Sequence, residues 1–359
     1  MSLNRTWVLA RRPEGPVAAS DFAYREEDYA APDLADGEIL VRTLIFSCAP
    51  TIRNWLNPPG RSYRGAIGVG EPIRGMAASE ILATRHARFE IGDVVTAVTP
   101  WQDYAVLRPD EAVVPVTGVP LGMNPVDAMT LYSPNSLTAY FGLFAIGEPK
   151  PGMSVLVSGA AGSVGAMVCQ MARLAGCRVV AVAGGQEKCR WLEEHCGAAV
   201  AIDYRSGDMV SRLKAASPRG FDLFFDNVGG QILQDAIDQM VPHGRIVLCG
   251  QISAYDTGRP AAGPNDMMKL VYGRIRMEGF VVGDFAGRYD EAMAAIGAWS
   301  ASGQLQCRVD VRKGFETLPN AFEGLFSGLN RGTLLVTTEG RAPETAAEKR
   351  WAPAFRSRL

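Results

Sequence analysis

The sequence has few of the residues that build metal centres or disulfide frameworks. Its seven cysteines are an odd number without a C-x-x-C pair, and it has only three histidines. His195 is followed by Cys196, but adjacent residues on a helix point in different directions, and His86 and His243 have no second ligand at metal spacing. A catalytic zinc site usually takes three protein ligands. We therefore expect no metal site, and reduced thiols in a cytoplasmic protein.

The chain also lacks a strong excess of either charge and any long apolar run. A net charge of −2 over 359 residues gives no electrostatic basis for binding nucleic acid or an anionic membrane. No apolar run is long enough to span a bilayer, and the first residues contain no apolar signal core. We therefore expect neither nucleic acid nor a membrane as a partner. The hydrophobic content of 47% is ordinary for a globular protein, and the length suits two domains.

Two patterns of secondary structure divide the chain. Residues 5 to about 130 contain short β-like runs broken by glycine and proline, such as 38–42, 93–98 and 103–107. From 134 to 300 apolar strands alternate with helical segments, which predicts a parallel sheet with helices on both faces. Residues 301–339 return to β character. The predicted fold is α/β: a Rossmann doubly wound parallel sheet over 134–300, a mostly β domain over 1–133 and 301–339, and an appended tail over 340–359.

A glycine-rich turn lies between a strand and a helix near residue 160. Strand 154–158 leads into Gly159-Ala160-Ala161-Gly162-Ser163-Val164-Gly165, and a helical stretch, Gly176 and a second strand follow. This order is the context of a dinucleotide-binding fingerprint, with Ala160 in place of its first glycine. Gly162 would let the backbone approach the pyrophosphate, and Gly165 would let the helix pack closely on the strand. Glycine turns also occur without a ligand, but strand, glycines and helix in this order favour a bound dinucleotide.

The end of the second strand favours NADPH over NADH. An NAD site usually has an acidic residue there that binds the ribose 2′-hydroxyl, whereas this sequence reads Gly184-Gly185-Gln186-Glu187-Lys188. The missing acid and the ammonium group of Lys188 suit a 2′-phosphate. Tyr204-Arg205, after the third strand, could add a hydroxyl and a second positive charge. Glu187 leaves open the alternative that Lys188 is only a solvated charge on a helix.

Six blocks of the sequence carry a resemblance to one enzyme family. They are residues 137–143, 159–165, 184–188, 225–230, 249–255 and 276–282. With them, the chain resembles the zinc-independent medium-chain dehydrogenase/reductases from about residue 5 to 338. The similarity is to the branch of prostaglandin reductases, alkenal double-bond reductases and curcumin-reductase-like enzymes. It implies a GroES-like β domain beside the Rossmann domain, NADPH in the cleft between them, and a homodimer.

The resemblance also implies roles for individual residues. Residues 162–165 would line the pyrophosphate, two side chains would bind the 2′-phosphate, and the others would approach the ribose and nicotinamide. The implied cofactor-binding residues are Gly162, Ser163, Val164, Gly165, Lys188, Tyr204, Asn227, Cys249, Gly250, Ile252, Ser253, Tyr255, Phe280, Val281, Val282 and Asn330. Without the resemblance, Asn227 would be interpreted as a turn residue and 280–282 as a core strand.

Reduction of an activated carbon–carbon double bond is the chemistry that the resemblance implies. Hydride adds to the electron-poor β-carbon of an enone or enal, and negative charge builds on the carbonyl oxygen. Without a metal, hydroxyl groups must stabilise that charge. Tyr272 matches a family tyrosine with this role, and a tyrosine hydroxyl can donate the hydrogen bond required. The alternative for Tyr272 is a half-buried packing aromatic.

Two departures from the family pattern leave the substrate open. Thr51, in Ala49-Pro50-Thr51-Ile52-Arg53, replaces a tyrosine that often faces substrate, and 133–136 reads Ser-Pro-Asn-Ser instead of Gly-Met-Pro-Gly. Two other functions therefore stay as alternatives: a zinc-independent alcohol dehydrogenase or carbonyl reductase, and a non-enzymatic NADPH-binding protein. Cys48 stands where zinc-dependent relatives carry a ligand. Because the accompanying histidine is missing, we interpret it as a small buried hydrophobic residue.

Overall fold

The computed structural model describes residues 2–60, 65–255, 257 and 263–338. The described residues divide into two compact units, one formed by the residues up to 129 together with those from 309 to 338, and the other by those from 130 to 308. The predicted tail over 340–359 lies outside the described residues.

The second unit extends a few residues beyond the predicted limits of 134 and 300 at both ends. At its start, the hydroxyls of Ser133 and Ser136 donate to the carbonyl of Thr130 at 2.7 and 2.8 Å, which fixes the segment before the first helix. At its end, the Gln170 side chain donates to the carbonyl of Gln306 and accepts from its N–H, both at 2.9 Å. Both flanking segments therefore fold with the parallel sheet. The two serines also account locally for the sequence departure at 133–136.

Strands and α-helices cover most of the described residues. The strands are β1 (Ser2–Leu9), β2 (Phe22–Tyr29), β3 (Ile39–Ser47), β4 (Arg74–Thr84), β5 (Val94–Pro100), β6 (Tyr104–Leu107), β7 (Thr117–Gly118), β8 (Ser154–Val157), β9 (Arg178–Ala183), β10 (Val200–Asp203), β11 (Phe221–Asp226), β12 (Met240–Leu248), β13 (Arg276–Gly279), β14 (Val309–Lys313) and β15 (Thr333–Thr337). The helices are α1 (Thr51–Trp55), α2 (Pro125–Ala128), α3 (Pro134–Phe141), α4 (Ser163–Leu174), α5 (Gln186–His195), α6 (Met209–Ala216), α7 (Gly230–Asp238), α8 (Ile252–Tyr255), α9 (Met268–Gly273), α10 (Tyr289–Ala301) and α11 (Leu318–Phe326). No helix in the described part of the chain is long and apolar enough to cross a membrane.

The first unit is mostly β, as predicted. Its main sheet has the order β14-β15-β3-β4-β5-β7, with β6 also paired to β3, and β1 and β2 form a separate antiparallel pair. The returning segment after residue 308 supplies β14, β15 and α11. It also holds the start of the chain in place, because the buried guanidinium of Arg5 donates to Glu316 at 3.0 Å and to the carbonyl of Thr338 at 3.2 Å. The same guanidinium donates to Asp103 at 2.8 Å.

The second unit is built on a six-stranded sheet with the order β10-β9-β8-β11-β12-β13, in which every pair is parallel. Counted from β8, this is the order 3-2-1-4-5-6 of the doubly wound dinucleotide-binding fold, which confirms the Rossmann prediction. The strand order reverses between β8 and β11. Ligands of such sheets bind outside the carboxyl ends of the strands at that reversal.

Alternating side chains of the parallel strands separate two apolar cores. Val155 and Val157 of β8 lie in the core that includes residues of α3, α4 and α10, whereas Leu156 lies in the core with α6 and α7. All three residues of β8 are fully buried, so the strand is covered on both faces of the sheet. Continuous apolar strands of this kind are typical of a parallel sheet covered by helices on both sides. The covered faces leave the carboxyl edge of the sheet for ligand binding.

Candidate cofactor site and active site

The glycine turn after β8 forms the first part of the candidate site. Gly159 has a φ of +56°, a conformation that favours glycine. Ala160, which stands at the first glycine position of the fingerprint, is fully buried, and its N–H donates to the carbonyl of Val182 at 3.0 Å. The conformational need for glycine therefore falls one residue earlier, so alanine is tolerated at 160.

Gly165 brings α4 close to the turn. A Cβ at this position would lie 2.4 Å from the carbonyl oxygen of Gly159 and 2.7 Å from the Cα of Ala160. The predicted packing role of Gly165 is thus confirmed. Gly162 is the N-cap of α4, and a Cβ there would meet only the Gly159 oxygen, at 3.3 Å. The first turn of this helix presents backbone N–H groups and the positive end of its dipole, which suit a phosphate.

A buried aspartate organises the outer rim of the sheet, where β9 and β10 end. The Asp203 carboxylate accepts from the N–H of Gly185 at 2.9 Å and of Arg205 at 3.0 Å. The bond from Gly185 and the nearby arginines hold the pKa of Asp203 below its usual value. The half-exposed Tyr204 ring lies 5.6 Å from the Arg205 guanidinium carbon. Both side chains lie next to Gly184, where a Cβ would meet them. Sequence reasoning missed Asp203, although its place at the end of a strand is a usable signal.

Lys188 lies in the first turn of α5, close to this rim, as predicted. Its neighbour Glu187 forms an ion pair with Arg308 at 2.8 Å, and the Arg308 guanidinium also lies 5.4 Å from the centre of the Trp191 ring. Glu187 thus has a partner of its own in the structure. The role of Lys188 toward a 2′-phosphate stays a prediction.

A second aspartate lies at the reversal point between β8 and β11. Asp226 has no exposed surface, and it accepts from the hydroxyl of Ser158 at 2.6 Å and from the N–H groups of Val228 and Gly229 at about the usual hydrogen-bond length. Burial raises the pKa of Asp226 despite these bonds. The Asn227 side chain donates to the Ser158 carbonyl at 2.8 Å. The predicted residue Asn227 is therefore held at the reversal point by two residues that sequence reasoning missed.

The loop after β12 packs on the same turn. The N–H of Ile252 donates to the carbonyl of Asn227 at 3.2 Å, and the Ser253 hydroxyl donates to the carbonyl of Val228 at 2.6 Å. Burial raises the pKa of the Cys249 thiol to about 12. The Tyr255 hydroxyl lies beside Gly250 and accepts from the N–H of Gln251 at 3.3 Å. The structure thus brings the predicted residues of 249–255 together with Asn227.

The predicted residues 280–282 follow the carboxyl end of β13. The strand ends at Gly279, and a 3-10 helix begins at Val282, so the alternative reading of 280–282 as a core strand is wrong. Phe280 packs against Phe285, and Gly142 leaves room for its ring, because a Cβ there would lie 2.5 Å from the ring edge. Val281 is 48% exposed.

Two predicted residues are not brought together with this edge. Tyr272 lies in the last turn of α9, just before β13, and is 73% exposed. A crossover helix runs antiparallel to the strands it connects, so the end of α9 lies toward the amino ends of the sheet. The exposure also excludes a half-buried packing role within the chain. Asn330 belongs to the first unit, where its side chain donates to the Gly332 carbonyl at 2.8 Å; its cofactor role stays a prediction.

The cysteine near the family's metal-ligand position is buried. Cys48 is 4% exposed, packs in an apolar core, and its pKa is raised to about 12 by burial. This confirms its interpretation as a small hydrophobic residue. Among the residues that the structure describes, no group of three or more His, Cys, Asp or Glu side chains is arranged to hold a metal ion.

Comparison with known proteins defines the class of the chain. Residues 5–116 match the family model described as the N-terminal domain of oxidoreductase, and residues 163–298 match the model described as zinc-binding dehydrogenase. Together with the relatives that follow, these matches show that the chain belongs to the zinc-independent medium-chain dehydrogenase/reductases.

The individual relatives are similar over nearly their whole length. The chain is 34% identical to the NADPH-dependent curcumin reductase of Escherichia coli (strain K12), covering 94% of this chain and 97% of the relative. It is 33% identical to the NADP⁺-dependent 2-alkenal reductase of Nicotiana tabacum, covering 83% and 87%. Among solved structures, CurA of Vibrio vulnificus in complex with NADPH superposes with a TM-score of 0.87 at 35% identity, covering 94% of this chain and 100% of that chain.

Proposed function

We propose that this protein reduces the activated carbon–carbon double bond of α,β-unsaturated ketones or aldehydes with NADPH. The observation that carries the proposal is similarity along nearly the whole chain to relatives named as NADPH-dependent curcumin reductase and as 2-alkenal reductase. A 2-alkenal has its double bond conjugated to the carbonyl, which makes the β-carbon electron-poor. The second unit supplies the matching dinucleotide fold.

The described residues of the second unit fit NADPH in three places. The turn 159–165 offers a helix N-terminus, where Gly162 has no side chain to occupy the approach to the backbone. At the rim, β9 is followed by two glycines and has no acidic side chain at its own end, while the Asp203 carboxylate from the neighbouring strand is held by the N–H groups of Gly185 and Arg205. Lys188, Tyr204 and Arg205 supply the positive charge and hydroxyl that such a phosphate requires. The loop 249–255 and Asn227 would lie toward the nicotinamide half.

When bound, NADPH supplies a hydride, which forms the new C–H bond at the β-carbon while the double-bond electrons move to the carbonyl oxygen. The chain's residues then have two tasks. They hold the acceptor in line, which accounts for a large part of the rate of such reactions, and they donate hydrogen bonds to the oxygen as its charge grows. A proton from water on the α-carbon completes the saturated carbonyl product.

A substrate panel tests the proposed function. The purified protein is mixed with NADPH and 2-alkenals, enones, saturated ketones or saturated aldehydes, while NADPH absorbance and the products are followed. We expect turnover of the conjugated compounds alone, with the carbonyl retained. Alcohol products would favour the carbonyl-reductase alternative. NADPH binding without turnover of any compound would favour the non-enzymatic alternative.

We also propose that the protein is a cytoplasmic homodimer. All seven cysteines are free thiols, which suits a reducing compartment. The parallel sheet ends at β13, and in the described part of the chain no further strand pairs with its outer edge. Sedimentation analysis tests the dimer.

A further inference from the structure

Glu187 is an acidic side chain beside the position proposed for the 2′-phosphate. It lies in the first turn of α5, directly before Lys188. Because neighbouring Cα atoms are only about 3.8 Å apart, the Glu187 carboxylate and a phosphate bound by Lys188 would be separated by roughly one Debye length, which is ~10 Å at 0.1 M salt. Their charges therefore repel each other unless a cation compensates the carboxylate.

Arg308, the last residue of the second unit, supplies that cation. Its guanidinium forms an ion pair with the Glu187 carboxylate at 2.8 Å and lies 5.4 Å from the centre of the Trp191 ring. Glu187 and Trp191 are four residues apart, so they share one face of α5. The guanidinium therefore contacts this face at two points. The side chain of Arg308 is only 23% exposed, which shields the ion pair in part from solvent.

The segment that carries Arg308 is anchored on α4. The buried side chain of Gln170 donates to the carbonyl of Gln306 and accepts from its N–H, both at 2.9 Å. Gln170 belongs to the helix whose amino end forms the candidate phosphate site at the glycine turn. The position of the guanidinium is thus set by the core of the cofactor-binding unit.

Lys188 projects from a different side of the same helix. Consecutive residues of an α-helix are rotated by about 100°, so Glu187 and Lys188 do not share a face. The contacts of Arg308 hold the negative charge of Glu187 on the face that carries Trp191. The ammonium group of Lys188 therefore approaches a phosphate from another side of α5 than the carboxylate does.

We propose that Arg308 is a positioning residue that determines the preference for NADPH over NADH. By holding Glu187 in an ion pair on the face of α5 that carries Trp191, it prevents this carboxylate from repelling the 2′-phosphate. The proposal rests on the NADPH-binding part of the proposed function. It does not need the reduction step, so it is tested by cofactor binding without any substrate.

Arg308→Ala tests the preference directly. The full-length variant and the wild type are titrated with NADPH and, separately, with NADH, and cofactor fluorescence gives each Kd. Because one partly exposed charge interaction is lost, we expect the Kd for NADPH to rise about three- to fivefold. The Kd for NADH, which lacks the 2′-phosphate, should stay nearly unchanged. An equal rise for both cofactors would overturn the proposal.

A second substitution tests whether Arg308 acts through Glu187. The double variant Glu187→Gln/Arg308→Ala should recover the NADPH affinity of the wild type, since no carboxylate is left to repel the phosphate. Glu187→Gln alone should bind NADPH at least as tightly as the wild type. If the double variant did not recover, Arg308 would bind the phosphate itself or act through the fold, and the proposal would be wrong.

The salt dependence separates electrostatic repulsion from a structural effect. The Debye length falls from ~30 Å at about 0.01 M salt to ~3 Å at about 1 M salt. The ratio of the NADPH Kd of Arg308→Ala to that of the wild type should therefore approach one as the salt concentration rises. A ratio that does not change with salt would show that the substitution disturbs the structure of the rim, and it would refute the proposed repulsion.

Arg245→Ala is the matched control. Arg245 pairs with Glu148 at 2.7 Å, and the exposed fractions of these side chains, 29 and 49%, are close to the 23 and 49% of Arg308 and Glu187. Its removal should leave the affinities for both cofactors unchanged. A loss of NADPH affinity as large as in Arg308→Ala would contradict a specific role of Arg308. If Arg308→Ala behaves as expected but the wild type reduces no conjugated carbonyl compound, only the proposed reductase chemistry is contradicted.

Discussion

Two aspartates at the carboxyl edge of one sheet accept similar hydrogen bonds but differ in the direction of their pKa shift. Asp203, at the rim, accepts two backbone N–H groups, and its pKa is lowered. Asp226, at the reversal point, accepts two backbone N–H groups and a hydroxyl, yet its pKa is raised. The difference is burial: Asp203 is near arginines and keeps 7% of its surface exposed, whereas Asp226 has none.

The comparison indicates that the two carboxylates, at the two ends of the candidate cofactor site, have different structural roles. At the rim, a charged carboxylate holds two loops together and is compensated by Arg205 and Arg212. At the reversal point, a fully buried carboxylate fixes the turn that carries Asn227. An isolated buried charge costs free energy unless its environment compensates it. The centre therefore combines precise positioning with a group whose ionisation is disfavoured.

Replacing each of the two aspartates in turn should give the largest difference, measured as the loss in the free energy of unfolding. Asp226→Ala leaves three donors without an acceptor, two of them buried, and should lower the free energy of unfolding by about 3 kcal/mol. Asp203→Ala should cost less than about 1 kcal/mol, since water can replace the lost acceptor at the rim. Chemical denaturation of both variants and the wild type measures the difference. Equal losses would contradict the distinction between centre and rim.

The pH dependence of the destabilisation caused by the same two substitutions tests the explanation by burial. A raised native pKa means that the folded state binds more protons, so the stabilisation by Asp226 is greatest at acidic pH and falls as the pH rises through its native pKa. The lowered pKa of Asp203 gives the opposite result: its stabilisation is present above the ordinary carboxyl pKa and is lost as the pH falls. The destabilisation by Asp226→Ala should thus shrink with rising pH, and that by Asp203→Ala should grow. Profiles of the same slope would refute the burial argument.

Gly165→Ala tests the close packing at the centre. A Cβ 2.4 Å from the Gly159 oxygen forces the turn or the helix to move, which should cost about 2 kcal/mol and weaken NADPH binding. Gly283→Ala is the control, because a Cβ there meets nothing within 4 Å. Thermal unfolding and NADPH fluorescence titration give the two values. Unaltered NADPH affinity in Gly165→Ala would show that the turn does not hold the cofactor.

Lys188→Ala tests the rim. A charge-assisted contact with the 2′-phosphate is worth roughly 1.5–3 kcal/mol, so its loss should raise the KM for NADPH about tenfold or more. NADH, which lacks this phosphate, should be nearly unaffected. Lys214→Ala removes the same charge from α6 as a control. Steady-state kinetics with both cofactors measures the effect, and an equal loss for NADPH and NADH would remove Lys188 from phosphate recognition.

Exhaustive chelation should have the smallest effect. Since the described residues contain no arrangement of ligands for a metal, we expect unchanged activity after treatment with a strong chelator. Metal analysis of the purified protein accompanies the assay. One tightly bound zinc ion per subunit, essential for activity, would contradict the proposed chemistry.

The fold was predictable because its signals are local. Apolar runs after glycine and proline predicted β8, β9 and β10, and the glycines before α4 identified the turn between strand and helix. Both the parallel sheet and the mostly β unit follow from such patterns. The unit boundaries were not predictable to the residue, since they depend on contacts such as that between Gln170 and Gln306, which are distant in the sequence.

The site was predictable only in part. The resemblance identified Asn227 and 249–255, which the structure brings together, but not Ser158, Asp203 or Asp226, which hold these segments in place. Ser158 and Asp203 accept hydrogen bonds from backbone groups of other loops, whereas Asp226 accepts them from the turn that follows it. The place of Asp203 at the end of a strand is a usable signal, but its partner at Gly185 is not visible in the sequence. The position of Tyr272 at the opposite end of the sheet was also not predictable, since it depends on the direction of α9.

The interrupted first unit has a consequence for how the chain folds during synthesis. Residues 45–47 of β3 pair with β15, and Arg5 needs Glu316 and the Thr338 carbonyl as partners. These partners emerge only after the whole second unit has been synthesised. Until then, the apolar edge of β3 and the guanidinium of Arg5 stay exposed to solvent. An exposed strand edge of this kind favours aggregation of incomplete chains. In chains that stop before residue 333, the parallel sheet should therefore be able to form, but the first unit lacks β15 and cannot be completed.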